Sequence, residues 1–337
     1  MRRLVRAVLF VIPVLLLLIW TYTHRVALGN YPANVYKTET NLVVTNIMFQ
    51  FIINHFMKSG PGKVENNKNK SGKGHITEPN LKTQQMESKY YQNVKWVLPS
   101  QAELSRLDAK HLTLLYFGYI QQIQVPCNNR VRLGHVGDGG WDMCDDDPYK
   151  PANNSLVYSF GISNDFSFDD AIGERINARV HSFDPSIGVK DHKRSGNVYF
   201  HATGISNTIG TNSNRWKMET LSAIKKELGH ENEVLSILKM DIESWEWRVL
   251  PEILKAHELN NTKQVMLEFH TCAKCRCGSC TDKQVVTELT HAITILKDLY
   301  NIGFRIFWMH NNPGCAYTCK YTGGKLSHCQ EVYFLKI

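Results

Sequence analysis

From residue 156 onward, seven apolar runs of four to seven residues recur at 156–162, 179–184, 198–201, 235–241, 264–270, 304–310 and 331–337. Their length, and the Val, Ile, Phe and Tyr in them, predict strands. Most are separated by helical patterns. The clearest is 285–300, where apolar residues return at helical spacing before a closing Gly303. The stretch 311–330 has no such period and is rich in Gly, Cys, Asn and Tyr. Without a crossover helix the seventh strand must run antiparallel. The pattern therefore predicts an α/β, Rossmann-like fold: a seven-stranded, mostly parallel sheet with its last strand reversed. Ahead of it, Ser100 and Glu103 form a capping box for one helix carrying Leu104, Leu107, Leu112, Leu115 and Ile120.

The first part of the chain is organised differently. Arg2, Arg3 and Arg6 precede an apolar run that reaches Tyr22, with no clear cleavage site beyond the weak Ala27-Leu28-Gly29. Residues 1–22 therefore predict a signal anchor and a type II protein whose remainder faces the Golgi or endoplasmic reticulum lumen; cleavage and secretion are the alternative. Residues 23–95 read as a stem and 96–337 as the folded domain. Within the stem, 41–57 forms a short apolar segment that lies on the membrane or on the domain. The net charge of +8 is concentrated here. Eight lysines between 58 and 95 face three glutamates among Gly, Asn and Ser, the composition of a solvated tether rather than of a nucleic-acid surface. Nine cysteines and sequons at Asn69, Asn153 and Asn260 agree with an oxidising compartment.

Ligands of such a sheet bind beyond the carboxyl ends of its strands. The first strand ends in Ser159-Phe160-Gly161, the turn continues to Asp165, and Asp184 closes the second strand 23 residues after Gly161. An acidic residue at that distance is placed for ribose hydroxyls. No G-x-G-x-x-G follows the first strand, which disfavours a pyrophosphate ligand. A ribose-bearing ligand without phosphates fits better, and S-adenosylmethionine is the expected cofactor. The competing reading is that Gly161 merely ends a strand and Asp184 caps a turn before Pro185. Asp138 lies in a Gly-Asp-Gly-Gly-Trp loop that can close over the cofactor. At the fourth and fifth strand ends, Asp241, Glu243, Glu268 and His270 are the catalytic candidates, as base or as holders of a divalent ion. Trp245 and Trp247 are either core or a sugar platform.

The string Lys239-Met240-Asp241-Ile242-Glu243-Ser244-Trp245-Glu246 resembles the signature of FkbM-type O-methyltransferases. More closely, residues from about 125 to the end, including Gly137-Asp138-Gly139-Gly140-Trp141, Cys144 and His181-Ser182-Phe183-Asp184-Pro185, resemble the methyltransferase-like protein 24 family of membrane-anchored methyltransferase-like proteins. The resemblance implies a class I methyltransferase fold and methyl transfer to oxygen. The expected acceptor is a hydroxyl of a glycan or glycoprotein.

Two rivals stand beside it: a non-catalytic binding protein of the same fold, and a metal-dependent Golgi glycosyltransferase using Asp145-Asp146-Asp147. The acidic triplet argues against the latter, because it is expected in a polar loop rather than at the end of a strand. The cysteines at 272, 275, 277 and 280 have the density of a zinc knot. In an oxidising lumen they are expected instead to form disulfides, with each other and with Cys315, Cys319 and Cys329, while Cys127 pairs with Cys144.

Overall fold

A computed structural model describes residues 98–137, 139–271 and 280–337. The predicted anchor and stem, Asp138, and the segment 272–279 lie outside the described residues. Among the described residues no helix is long and apolar enough to cross a membrane.

The centre is a mixed sheet of eight strands: β1 (Leu156–Phe160), β2 (Arg179–Phe183), β3 (His192–Ser195), β4 (Val198–His201), β5 (Leu235–Met240), β6 (Thr262–His270), β7 (Phe304–Asn311) and β8 (Cys329–Lys336), in the order β7-β8-β6-β5-β1-β2-β4-β3. All seven predicted strands are present. Strands β6, β5, β1, β2 and β4 pair in parallel with one another in that order. Strand β8 is antiparallel to both β6 and β7, as the missing crossover helix required. The added strand β3 is antiparallel to β4. It was not predicted because His192-Lys193-Arg194-Ser195 is exposed throughout and carries no apolar signal.

Central strands buried on both faces read as continuous apolar runs rather than as alternation. On one face Tyr158, Phe160, Leu238, Met240, Leu267 and Phe269 pack against helices. These are α1 (Gln101–Leu104) and α2 (Ala109–Ile120), with α4 (Leu221–Leu228), α5 (Glu246–Lys255) and α6 (Asp282–Asn301) beyond α3 (Ser167–Ile176) in the chain. On the other face Val157, Val180, Ile237 and Met266 meet α3 and a hairpin made of Arg130–Leu133 and Trp141–Cys144.

The single helix expected after Ser100 is two. The capping box forms, but Asp108 restarts the helix by accepting a hydrogen bond from the His111 amide at 2.9 Å. A side chain that can cap competes with helix continuation wherever the backbone can turn.

The hairpin is fastened at its base. Cys127 is bonded to Cys144, and the buried Gln264 side chain, near the start of β6, accepts from the Cys144 amide at 3.0 Å and donates to its carbonyl at 2.7 Å. Cys315 is bonded to Cys329, Cys280 is also in a disulfide, and Cys319 is a buried free thiol. The Cys127 pairing is the expected one.

Beside β1, the His181 ring stacks on His201 at 5.1 Å, with its Nδ1 2.9 Å from His201 Nε2. Burial, reinforced by His201, His230 and Arg179, pushes the His181 pKa from 6.5 down to about 3. The fold keeps this imidazole neutral where the unfolded chain protonates it. Its contribution to stability is therefore full above pH 6.5 and is lost as the pH falls toward 3. A His181→Phe variant removes that linkage. Relative to the parent it should gain about 1.4 kcal/mol per pH unit between about pH 6 and 4 in urea unfolding; parallel pH profiles for the two proteins would refute this.

Candidate active site

The carboxyl edge of the sheet is built around Gly161. This residue has φ +70°, and a Cβ there would lie 1.6 Å from the Asp241 carbonyl oxygen. Only glycine fits both the conformation and the space. Backbone bonds from Gly161 to Phe183 (2.9 Å) and from Asp241 to Phe160 (3.1 Å) join the ends of β1, β2 and β5. The buried Lys239 ammonium donates to the carbonyls of Gly161 (2.8 Å) and Phe160 (3.3 Å), clamping the turn from the hairpin face. Its charge also partly offsets the burial that raises the pKa of Asp169 in the first turn of α3.

Ser163 and Asn164 continue the turn in left-handed conformations, and Asp184 ties it to the next one. Its Oδ2 accepts from the Ser163 amide at 2.9 Å; its Oδ1 accepts from the Ser186 amide at 2.8 Å and the Ser186 hydroxyl at 2.6 Å. Asp184 thus caps the turn before Pro185 while facing the first turn, and Oδ2 retains a second acceptor position. Asp165 Oδ1 accepts from the Ser167 amide at 2.9 Å, and its Oδ2 lies 3.1 Å from His135 Nδ1. The glycine loop closes onto it: a Cβ on Gly139 would stand 1.9 Å from Asp165 Oδ2. Ser159 and Phe160 are fully buried. Their side chains belong to the core, so of this strand end it is the backbone leading into Gly161 that faces the turn.

The acidic half of the edge follows β5. Glu243 and Ser244 are consecutive left-handed residues, a conformation that costs free energy and persists only where surrounding contacts enforce it. Those contacts come from Glu246. Fully buried at the start of α5, it accepts from the Ile242 amide at 2.8 Å. The imidazole of His270, at the end of β6, has Nδ1 3.3 Å from Glu246 Oε1. Its Nε2 is 3.6 Å from Glu243 Oε2 and 4.0 Å from Asp241 Oδ1. Burial opposes its charge, but Glu246, Glu268 and Asp241 outweigh burial and raise its pKa to about 9. Glu268 is pushed up to about 8, by burial first and then by the Asp241 carboxylate. Burial likewise raises Glu246.

The four catalytic candidates Asp241, Glu243, Glu268 and His270 are thus brought together, with Gly161 against Asp241 and with Asp165 and Asp184 on the adjoining turns. Lys239 and Glu246 were missed as site residues although both stand in the same acidic string. The signal was the string itself, which carries a charge on either side of Asp241. Trp247 stacks on Phe269 at 4.5 Å and donates to the His270 carbonyl at 2.7 Å, so it positions β6; Trp245 is partly exposed.

The acidic triplet needs a correction. Asp145 does directly follow a strand, Trp141–Cys144, but Arg175 (2.8 Å) and Asn129 (3.3 Å) hold its carboxylate. Asp146 accepts from the amides of Asn128 and Asn129. Both carboxylates brace the base of the hairpin, near the amino end of β6, away from the acidic edge.

A methyltransferase domain family matches residues 71–319. The human and rat proteins named Probable methyltransferase-like protein 24 are each 25% identical over 207 residues, covering 57% of this chain and 55% and 56% of theirs. The chain therefore spans a little over half the length of the curated relatives it matches. With three quarters of its residues inside the matched region, and a glycine turn locked against an acidic strand end at the heart of it, the chain belongs to this methyltransferase domain family.

Proposed function

We propose that this methyltransferase uses S-adenosylmethionine and methylates a hydroxyl oxygen of a glycan or glycoprotein in the secretory lumen. The observation that carries the cofactor is the acid-rich edge beside the Gly161 turn. Asp241, Glu243 and Glu246 face one imidazole, more carboxylates than a single imidazolium neutralises and an excess suited to a cationic ligand. Asp184, through the free position on Oδ2, and the backbone of 161–165 would hold the ribose side, and Asp165 with the glycine loop would close the other end. When bound, the cofactor supplies a methyl group on a sulfonium. The protein must align the acceptor hydroxyl and receive its proton, and Asp241 Oδ1, at the mouth of the cluster, is the atom placed to take it. His270, held by Glu246, keeps the carboxylates from repelling one another apart.

The strand order, with its reversed β8, supports a class I methyltransferase fold. The lumenal setting is supported by the disulfides and by the exposure of Asn153 and Asn260; a mass loss on endoglycosidase treatment of protein from secretory cells is the expected sign of it.

One observation favours the non-catalytic reading: both oxygens of Asp184 already serve the protein's own turns. Isothermal calorimetry separates the two. The parent should bind S-adenosylmethionine, and Asp184→Asn should weaken binding at least tenfold while the fold survives. Absence of binding by the folded parent would favour the non-catalytic protein.

A further inference from the structure

Around His270 the donor atoms are close but do not touch. Nε2 stands 3.6 Å from Glu243 Oε2 and 4.0 Å from Asp241 Oδ1, and no hydrogen bond joins it to either. The residue is 93% buried, since 7% of its surface is exposed, and its Nδ1 faces Glu246 Oε1 at 3.3 Å, which leaves Nε2 as the nitrogen turned toward Asp241 and Glu243. Buried imidazoles ordinarily satisfy at least one nitrogen. Here the exposed side offers two carboxylates with a gap between.

We propose that Asp241, Glu243 and His270 bind a divalent cation, which takes the place of the proton on His270 Nε2. One ligand atom from each lies within 4.8 Å of the others. Donors that share an ion at about 2.1 Å stand roughly 3–3.4 Å apart. From His270 Nε2, the Glu243 oxygen at 3.6 Å and the Asp241 oxygen at 4.0 Å thus need to close in by about 0.2–1 Å. Glu243 can make that adjustment, because its side chain is 88% exposed and Asp241 is 26% exposed. The alternative set at His270 is Glu268 with Cys329, and Cys329 is committed to its disulfide with Cys315, which leaves the Asp241 side as the binding side. Two carboxylates and one imidazole suit a first-row ion such as manganese or zinc better than magnesium, which prefers oxygen alone. The open side of Glu243 leaves coordination positions for water or for an acceptor hydroxyl; this role rests on the proposed function, and with an ion held there Asp241 would serve as its ligand, the ion rather than Asp241 Oδ1 making the hydroxyl acidic.

The test is manganese binding by the oxidised full chain, with no S-adenosylmethionine present, read from the free-ion signal in electron paramagnetic resonance. The parent should bind one ion per chain. Asp241→Asn and His270→Gln should each weaken binding at least tenfold. Glu243→Gln should weaken it severalfold, and because that side chain is exposed its effect cannot come from unfolding. A parent that binds no manganese at millimolar concentration, or three variants that bind as the parent does, overturns the proposal. Calorimetry with S-adenosylmethionine in the presence of a chelator keeps the two readings apart: cofactor binding without manganese binding removes the ion alone, and manganese binding without cofactor binding removes the cofactor alone.

Discussion

Gly161→Ala is expected to lose about 3–5 kcal/mol of stability in urea unfolding. The left-handed conformation accounts for about 1–2 kcal/mol of that. The remainder comes from driving a methyl group into the Asp241 carbonyl, 1.6 Å from the Cβ position, an overpacking that the backbone cannot relieve without breaking the bond from the Asp241 amide to Phe160. Gly188→Ala is the internal comparison. Gly188 has nearly the same φ, +77°, with nothing within 4 Å of a Cβ, so its loss should stay near 1–2 kcal/mol. Equal losses at the two positions would show that the turn is not wedged against β5.

Lys239→Met should cost about 3 kcal/mol, the usual scale for removing one partner from a buried charged arrangement. Two things fail together. The carbonyls of Phe160 and Gly161 lose their donor, and Asp169, only 1% exposed, loses the nearby positive charge. The second loss can be separated from the first. In Asp169→Asn the carboxylate is already gone, so adding Lys239→Met should cost at least 1 kcal/mol less than it does alone. Strict additivity would mean that Lys239 acts only on the turn. Loss of cofactor binding in Lys239→Met at temperatures where it remains folded would further place the clamp in the site's geometry.

The central strands were legible because burial on both faces makes them apolar without interruption, and the reversal of β8 followed from a segment too irregular to be a crossover helix. The hairpin was not. Its strands read Arg-Val-Arg-Leu and Trp-Asp-Met-Cys, and Arg130 and Arg132 face the buried Asp142 at 2.6 and 2.8 Å; charges that satisfy one another across a pair of strands look from sequence like a surface loop. The same effect hid Lys239 and Glu246. Each is a buried charge whose partner lies on another element, and sequence spacing alone does not distinguish such a support from a reacting group. Asp184 shows the opposite limit. Its position at a strand end was readable, but its engagement with Ser163 and Ser186 depends on how two turns meet in space.

The hairpin is anchored unevenly, and that asymmetry has an evolutionary reading. Its base is closed by a covalent bond and tied to the sheet by Gln264, while its glycine-bearing tip, with Val136 96% exposed, overhangs the end of β1. Insertions or recoloured side chains at that tip would leave every strand undisturbed. Among relatives that share the scaffold, preference for one acceptor over another is therefore expected to diverge in the overhang first, and exchanging tips between them is the graft that would transfer it.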